Sequence, residues 1–348
     1  MAEKNTKIRQ ISDFGEFGLI DYLTKDIKYK NSELIKGIGD DAAVFESGDI
    51  CNLITTDLLV EGIHFDLIYT PLKHLGYKAV AVNLSDIYAM NAIPKYITIS
   101  IAVSNKFSVN VIEELYSGIY LACEQYGVEL IGGDTSSSLS GLFINITAIG
   151  QAKKEDVVYR SGAKKNDLIC VSGDLGAAYL GLQILEREKK VFLADNDVQP
   201  ELDKFNYIIE RFLKPEPRKD IIESLKKYKI LPTSMIDISD GLSSELLHIC
   251  SKSNLGCKVF EEKLPIHDQT FLTAEMFNLD PAIPVMNGGE DYELLFTIPL
   301  DKKDEIEKIP NVAIIGFMTE NKDEKFLIAK NGVEIPLIAQ GWNHGEVE

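Results

Sequence analysis

Hydrophobic and polar positions along the first half of the chain switch repeatedly between two periods. From Cys51 to Thr56 apolar and β-branched residues run together, which predicts a strand that delivers Asp57 at its C-terminal end. From Leu72 to Met90 the spacing of Leu75, Ala79, Val82 and Ile87 is helical, and Asn91 is placed to end the helix. Tyr96 to Val103 predicts another strand. Ser108 is positioned to cap a helix whose Ile112, Leu115, Ile119 and Cys123 form one apolar face, with Gly127 as its terminator. Val128 to Ile131 then leads into Gly132-Gly133-Asp134, and Leu142 to Ala152 alternates like a half-buried strand.

After this the chain turns polar from Lys153 to Asp167, which sets the expected domain boundary: residues 1–155 and 156–348. The second half opens with a buried strand, Leu168 to Val171, turning through Gly173-Asp174-Leu175-Gly176 into an Ala- and Leu-rich helix. Glu186 to Pro217 is strongly charged and reads as a mobile or helical surface excursion outside the core. Met235 to Ile238, Leu294 to Ile298 and Val312 to Ile315 are strands, and Ser243 to Asn254 is a helix. The fold class is α/β, with mixed sheets of the α+β type. At 348 residues the chain is too long for one ordinary core, so two domains are expected.

Composition narrows the function. Thirty-six basic against 54 acidic residues give a formal charge of −18, the wrong sign for a nucleic-acid surface. No apolar run is long enough to cross a bilayer, and the first residues lack a signal-peptide core, so no membrane and a cytoplasmic location are expected. Five cysteines without a C-x-x-C pair read as buried thiols.

Six short acidic clusters carry the candidate chemistry: Gly39-Asp40-Asp41, Thr55-Thr56-Asp57, Asn83-Leu84-Ser85-Asp86, Gly132-Gly133-Asp134-Thr135, Asp237-Ile238-Ser239-Asp240-Gly241 and Gly288-Gly289-Glu290-Asp291. Taken singly, an Asp beside Gly is usually a turn residue. As a set they differ, because Asp57, Asp134 and Asp237 each follow an apolar strand, where ligand sites of α/β proteins collect. Asp86 lies in a helical segment, one turn after Asn83, among small and apolar residues where a carboxylate is costly without a cation. Carboxylates and hydroxyls are the ligands that magnesium prefers, and magnesium commonly brings phosphate.

Around these clusters His64 follows Asp57 closely, and Arg160 is placed to clamp phosphate. Trp342, the single tryptophan, reads as a buried anchor or a stacking surface. No Walker loop, G-x-G-x-x-G, kinase H-R-D or D-F-G set, or G-x-S-x-G elbow is present, so a nucleotide would be held mainly through metals.

The motifs GIGDDAA (37–43), TTD (55–57), EGIHF (61–65), AVNLSD (81–86), GGDT (132–135), DISDG (237–241) and GEDYE (289–293) occur in the order seen in the thiamine-monophosphate kinase family, which the chain resembles from Phe14 to its last strand. The resemblance implies a two-domain aminoimidazole ribonucleotide synthetase-like architecture and phosphorylation of thiamine phosphate by ATP. It also implies several Mg2+ ions and a homodimer. By motif, Asp41, Thr55, Thr56, Asp57, Asp86, Asp134, Asp237 and Asp240 would be metal ligands, with Asp57, Asp86 and Asp240 central to catalysis. Gly133, Asp134, Arg160 and Ser239 would contact ATP, and Tyr116 or Tyr120 adenine. His64, Glu290 and Trp342 would line the thiamine phosphate pocket. Another ATP-dependent enzyme of that superfamily, or a non-catalytic regulator on the same scaffold, is the alternative.

Overall fold

The structure, a computed structural model, describes residues 14–195 and 199–339. A short helix, α1 (Gly15–Thr24), precedes a six-stranded sheet made of β1 (Leu34–Lys36), β2 (Ala43–Ser47), β3 (Ile50–Val60), β4 (Ile93–Ser104), β5 (Glu129–Ser138) and β6 (Leu142–Lys153). Its order is β1-β2-β3-β6-β4-β5, antiparallel except where β5 joins β4. The alternation expected of β6 is present: Leu142, Ile144, Ile146 and Ala148 are buried and their neighbours are not. Helix α2 (Leu72–Ala89) covers the inner face, and α3 (Val109–Tyr126) packs on α2. Ser108 precedes α3 but makes no capping bond, whereas Gly127 ends the helix in the left-handed conformation, φ 68°.

The second sheet comprises β7 (Leu168–Ser172), β8 (Ser234–Asp237), β9 (Gly256–Phe260), β10 (Leu294–Ile298), β11 (Val312–Thr319), β12 (Lys325–Ile328) and β13 (Glu334–Pro336), in the order β13-β12-β9-β11-β7-β10-β8. Around it lie α4 (Ala177–Ala194), α5 (Asn206–Leu213), α6 (Lys219–Lys227), α7 (Leu242–Ser253), α8 (Asp268–Met276), α9 (Ala282–Asn287) and α10 (Lys303–Ile306). All five residues of β10 are buried because both faces of this sheet are covered. Leu294, Phe296 and Ile298 join the core that contains α2, while Leu295 joins a second core with α7 and α9. One apolar core therefore runs from the first sheet through α2 into the second. This is why α2 is buried nearly all round and not only along one stripe.

Two expectations need correction. Asp57 and Asp134 do not sit at strand ends: β3 continues to Val60 because Leu58, Leu59 and Val60 keep pairing with β6, and β5 to Ser138 because Thr135 and the serines after it keep pairing with β4. Glu186–Pro217 is also no surface excursion. Its α5 carries Ile208 and Phe212, both buried, onto α4, and Gly181 of α4 lets the Ile208 carbonyl approach too closely for any side chain there. The charges of both helices lie beside this apolar stripe, Arg211 reaching inward to the buried Glu293, and they hid it.

Helices α2 and α3 meet through Gly76 and Gly118. A Cβ on Gly76 would collide with the Leu115 carbonyl, and one on Gly118 with the Lys73 carbonyl. Backbone cannot yield as a side-chain tip does, so Gly76→Ala is expected to destabilise the protein by about 3 kcal/mol in denaturant unfolding. A change below about 1 kcal/mol would mean that the helices separate freely.

Candidate active site

Three carboxylates from distant parts of the chain meet where α2 touches both sheets. Asp41, in the turn before β2, Asp86 on α2 and Asp237 at the end of β8 place oxygens within 4.8 Å of one another. Each is held from behind. Asp86 accepts a 2.5 Å hydrogen bond from the Thr55 hydroxyl, and Asp237 one of 2.6 Å from Ser85. Arg160 donates from Nε and Nη2 to Asp41 Oδ1, at 3.0 and 2.5 Å, while the Asp40 side chain accepts the Arg160 backbone N–H. The second Asp41 oxygen is buried, with no hydrogen-bond partner among the described residues.

The electrostatics show what such a cluster lacks. Burial pushes the Asp41 carboxyl up to about 7 against the pull of Arg160, with Asp237 adding repulsion. Burial raises Asp237 to about 6 despite the Ser85 bond and Arg160. Asp86 is raised by burial and then by the charges of Asp57, Asp237 and Asp41. A single guanidinium does not balance three buried carboxylates, and a bound cation would. An all-oxygen donor set of this kind, with one unpartnered buried oxygen, fits a hard divalent ion.

Asp57 lies on the same inner face of β3 as Thr55, its backbone N–H donating to Asn83 Oδ1. Burial raises its carboxyl to about 6, and the next contributor is the charge of Glu290. Glu290 in turn pairs with Lys78 of α2 and accepts from the Tyr292 hydroxyl at 3.2 Å. Asp57 thus joins the carboxylate cluster to a neighbouring cavity of about 410 Å³. Residues 62–66 and Tyr69 form one wall of this cavity and α4 the other, with Phe212, Ser239, Asp240, Gly289 and Glu290 closing it. His64 lines it too; its Nδ1 accepts the Val60 N–H, which leaves the proton of the neutral ring on Nε2.

Two tight loops shape the floor. Ser239 accepts the Glu290 N–H through its carbonyl, and Gly289 lies so close to that carbonyl that only glycine fits. Asp240 donates its own N–H to Glu245, a buried carboxyl raised by burial and by Asp240. On the opposite side Tyr69 donates to Glu186, and Lys189 pairs with Asp66 and Glu186. This polar set, together with Lys78, was missed in the sequence. Asp66 and Tyr69 lie far along the chain from Glu186 and Lys189, and neither pair carries a motif.

Thr56 and Asp134 are not brought to the cluster. Strand alternation turns Thr56 to the outer, exposed face, where its hydroxyl donates to the Ile146 carbonyl and meets Asn145 and Thr147. Asp134, paired with Ser100, is exposed on that outer face as well, and it accepts the Thr135 N–H. Gly133, in register with buried Ile99, falls on the other face, and a Cβ there would collide with the Ile99 carbonyl. With Ile99, Tyr116, Leu130, Gly132, Asp134 and Thr135 it lines a shallow depression of about 360 Å³. Tyr120 is exposed beside Tyr116, and Trp342 lies outside the described residues. All five cysteines are buried and free.

Comparison with known proteins identifies the class first. Residues 39–152 match the family described as AIR synthase related protein, N-terminal domain. The chain is 32% identical to the thiamine-monophosphate kinase of Bacillus subtilis (strain 168), across 94% of this chain and 99% of that protein. It is 37% identical to the thiamine-monophosphate kinase of Buchnera aphidicola subsp. Schizaphis graminum (strain Sg), across 95% and 99%. A solved structure, AaThiL complexed with AMPPCP and TMP, superposes with a TM-score of 0.83 at 31% identity, covering 97% of this chain and all of that one. The chain belongs to the thiamine-monophosphate kinase family.

Proposed function

We propose that the protein transfers the terminal phosphoryl group of ATP to thiamine phosphate, giving thiamine diphosphate and ADP. The observation that carries this reading is the continuity between the carboxylate cluster and the 410 Å³ cavity through Asp57, Asp240 and Glu290. Thiamine phosphate would enter the cavity beside His64 and Glu290. ATP would lie with its phosphates toward Arg160 and Ser239 and its base toward Gly133 and Tyr116.

Asp41, Thr55, Asp57, Asp86, Asp237 and Asp240 would hold magnesium, which when bound neutralises charge between the two phosphates. The chain's own work is positioning. Thr55 and Ser85 aim Asp86 and Asp237, Asn83 fixes the Asp57 backbone, and Arg160 orders Asp41. The attacking group is a phosphate oxygen, already largely dianionic near neutrality with a second pKa of about 6, so no general base is required. That accounts for a kinase site without a catalytic His-Asp pair.

The two sheets are read as two domains divided near residue 155, in a cytoplasmic homodimer paired through the first sheet. Exposed Leu58, Tyr96 and Ile131 on its strands support the pairing. Among the described residues no helix is long and apolar enough to cross a membrane. Incubation of the pure protein with ATP, magnesium and thiamine phosphate is expected to yield thiamine diphosphate and ADP in equal amounts by mass spectrometry. ADP alone points to another ATP-dependent reaction of the superfamily, and neither product to a non-catalytic regulator.

A further inference from the structure

Lys78 is 2% exposed in the middle of a helix whose adjacent Tyr77, Ala79 and Val80 are all core residues. An ammonium in such a place is tolerated only when it is fully paired. Among the described residues all its partners come from the second half of the chain. Its Nζ donates to the Phe212 carbonyl at 3.1 Å, lies 4.0 Å from the centre of the Phe212 ring, and forms an ion pair with Glu290. Phe212 and Glu290 both line the 410 Å³ cavity, and Lys78 does not. It therefore acts on the cavity only through them.

Glu290 needs that help. It is a non-glycine residue with φ +69°, and Tyr292, two positions on, has φ +51°. Such backbone persists where the surroundings over-determine it. Here the Glu290 N–H is tied to the Ser239 carbonyl, the Tyr292 N–H to the Ile238 carbonyl, and the Asp291 carboxylate to the Gly176 N–H. These bonds fix the main chain. The side chain faces Asp57, a charge of the same sign, and the Lys78 ammonium is what draws it back against that repulsion.

We propose that Lys78 is a positioning residue for the acceptor: from the first half of the chain it sets Glu290 and Phe212 of the second half, so that the acceptor cavity has its binding shape only when the two halves are docked. The inference rests on the kinase reading above. It predicts a selective defect, because the depression around Gly133 and Tyr116 lies on β4, β5 and α3 and includes neither Phe212 nor Glu290.

The test is steady-state kinetics and calorimetric binding on the full chain with Lys78→Met, Lys78→Gln and Lys78→Arg. For Lys78→Met and Lys78→Gln the KM and Kd for thiamine phosphate are expected to rise about tenfold or more, with the KM for ATP within about twofold of the parent. Lys78→Arg, which keeps the charge, is expected to recover most of that affinity. It also serves if the neutral variants do not fold, since its planar fork still displaces Glu290 enough for about a twofold to fivefold rise. Unchanged acceptor affinity in every variant that folds, or parallel losses for ATP and acceptor, overturns the inference. Absence of thiamine phosphate binding or turnover in the unsubstituted protein overturns the kinase reading instead.

Discussion

Asp57→Asn is expected to lower turnover of thiamine phosphate about a thousandfold while leaving the thermal unfolding midpoint of the metal-free protein unchanged or slightly raised. The two halves of that expectation have different causes. Asp57 sits inside β3, paired with Ile146, and its backbone N–H is already satisfied by Asn83, so an amide of the same shape disturbs no main-chain bond. Its carboxyl is pushed up to about 6 by burial and then by Glu290, so its charge costs the empty site stability and an amide does not. The charge is therefore kept for chemistry at the junction of the carboxylate cluster and the acceptor cavity. Phosphorylation rates in saturating magnesium, beside a thermal melt, check both halves. Near-parent turnover would remove Asp57 from the mechanism.

Which parts of this site could be read from the sequence follows from periodicity. Asp86 and Asn83 were legible as one face of a helix, because three-residue spacing fixes a face without tertiary information, and α2 indeed presents Asn83 to Asp57 and Asp86 to Thr55. Adjacent motif residues on a strand were not separable in that way. Thr55, Thr56 and Asp57 read as one cluster, yet a period of two sends Thr56 to the opposite face from its neighbours. The same rule parts Gly133 from Asp134. Lys78 was illegible for another reason: a lysine among apolar helical residues is normally placed on the solvent side, and here Phe212 of α5 and Glu290 of the second half, packing against α2, take it in. Glu186–Pro217 was misread by composition, since the charges flanking α5 outweigh its short apolar stripe, which buries Ile208, Ile209, Phe212 and Leu213. Periodicity fixes a face; it does not say what will cover that face.

The metal-free protein should lose stability as pH rises through the range in which most proteins are at their best, and magnesium should restore it. Asp41 is raised to about 7, Asp57 and Asp237 to about 6, and Asp86 is raised as well, all by burial first. An unfolded Asp titrates near 3.9, so between about pH 4 and 7 the folded state binds more protons than the unfolded one. The sign follows: the contribution of these groups is complete below the unfolded value and is lost as pH climbs through 6 to 7. His248 runs the other way. Burial, with Arg160 and Lys252, holds it down to about 4, so its contribution fades as pH falls below about 6.5. The two trends overlap in a simple melt, but the effect of magnesium separates them, because the cation competes with protons at the carboxylates and not at the imidazole. At a magnesium concentration about 100-fold above its Kd the stabilisation is about 2.7 kcal/mol. For a chain of this length that raises the melting temperature by about 4 °C. That rise is expected at pH 8 and should shrink to about 1 °C at pH 5, where protons already neutralise the cluster. A rise of equal size at both pH values, or none at either, would show that Asp41, Asp86 and Asp237 are not where the cation binds.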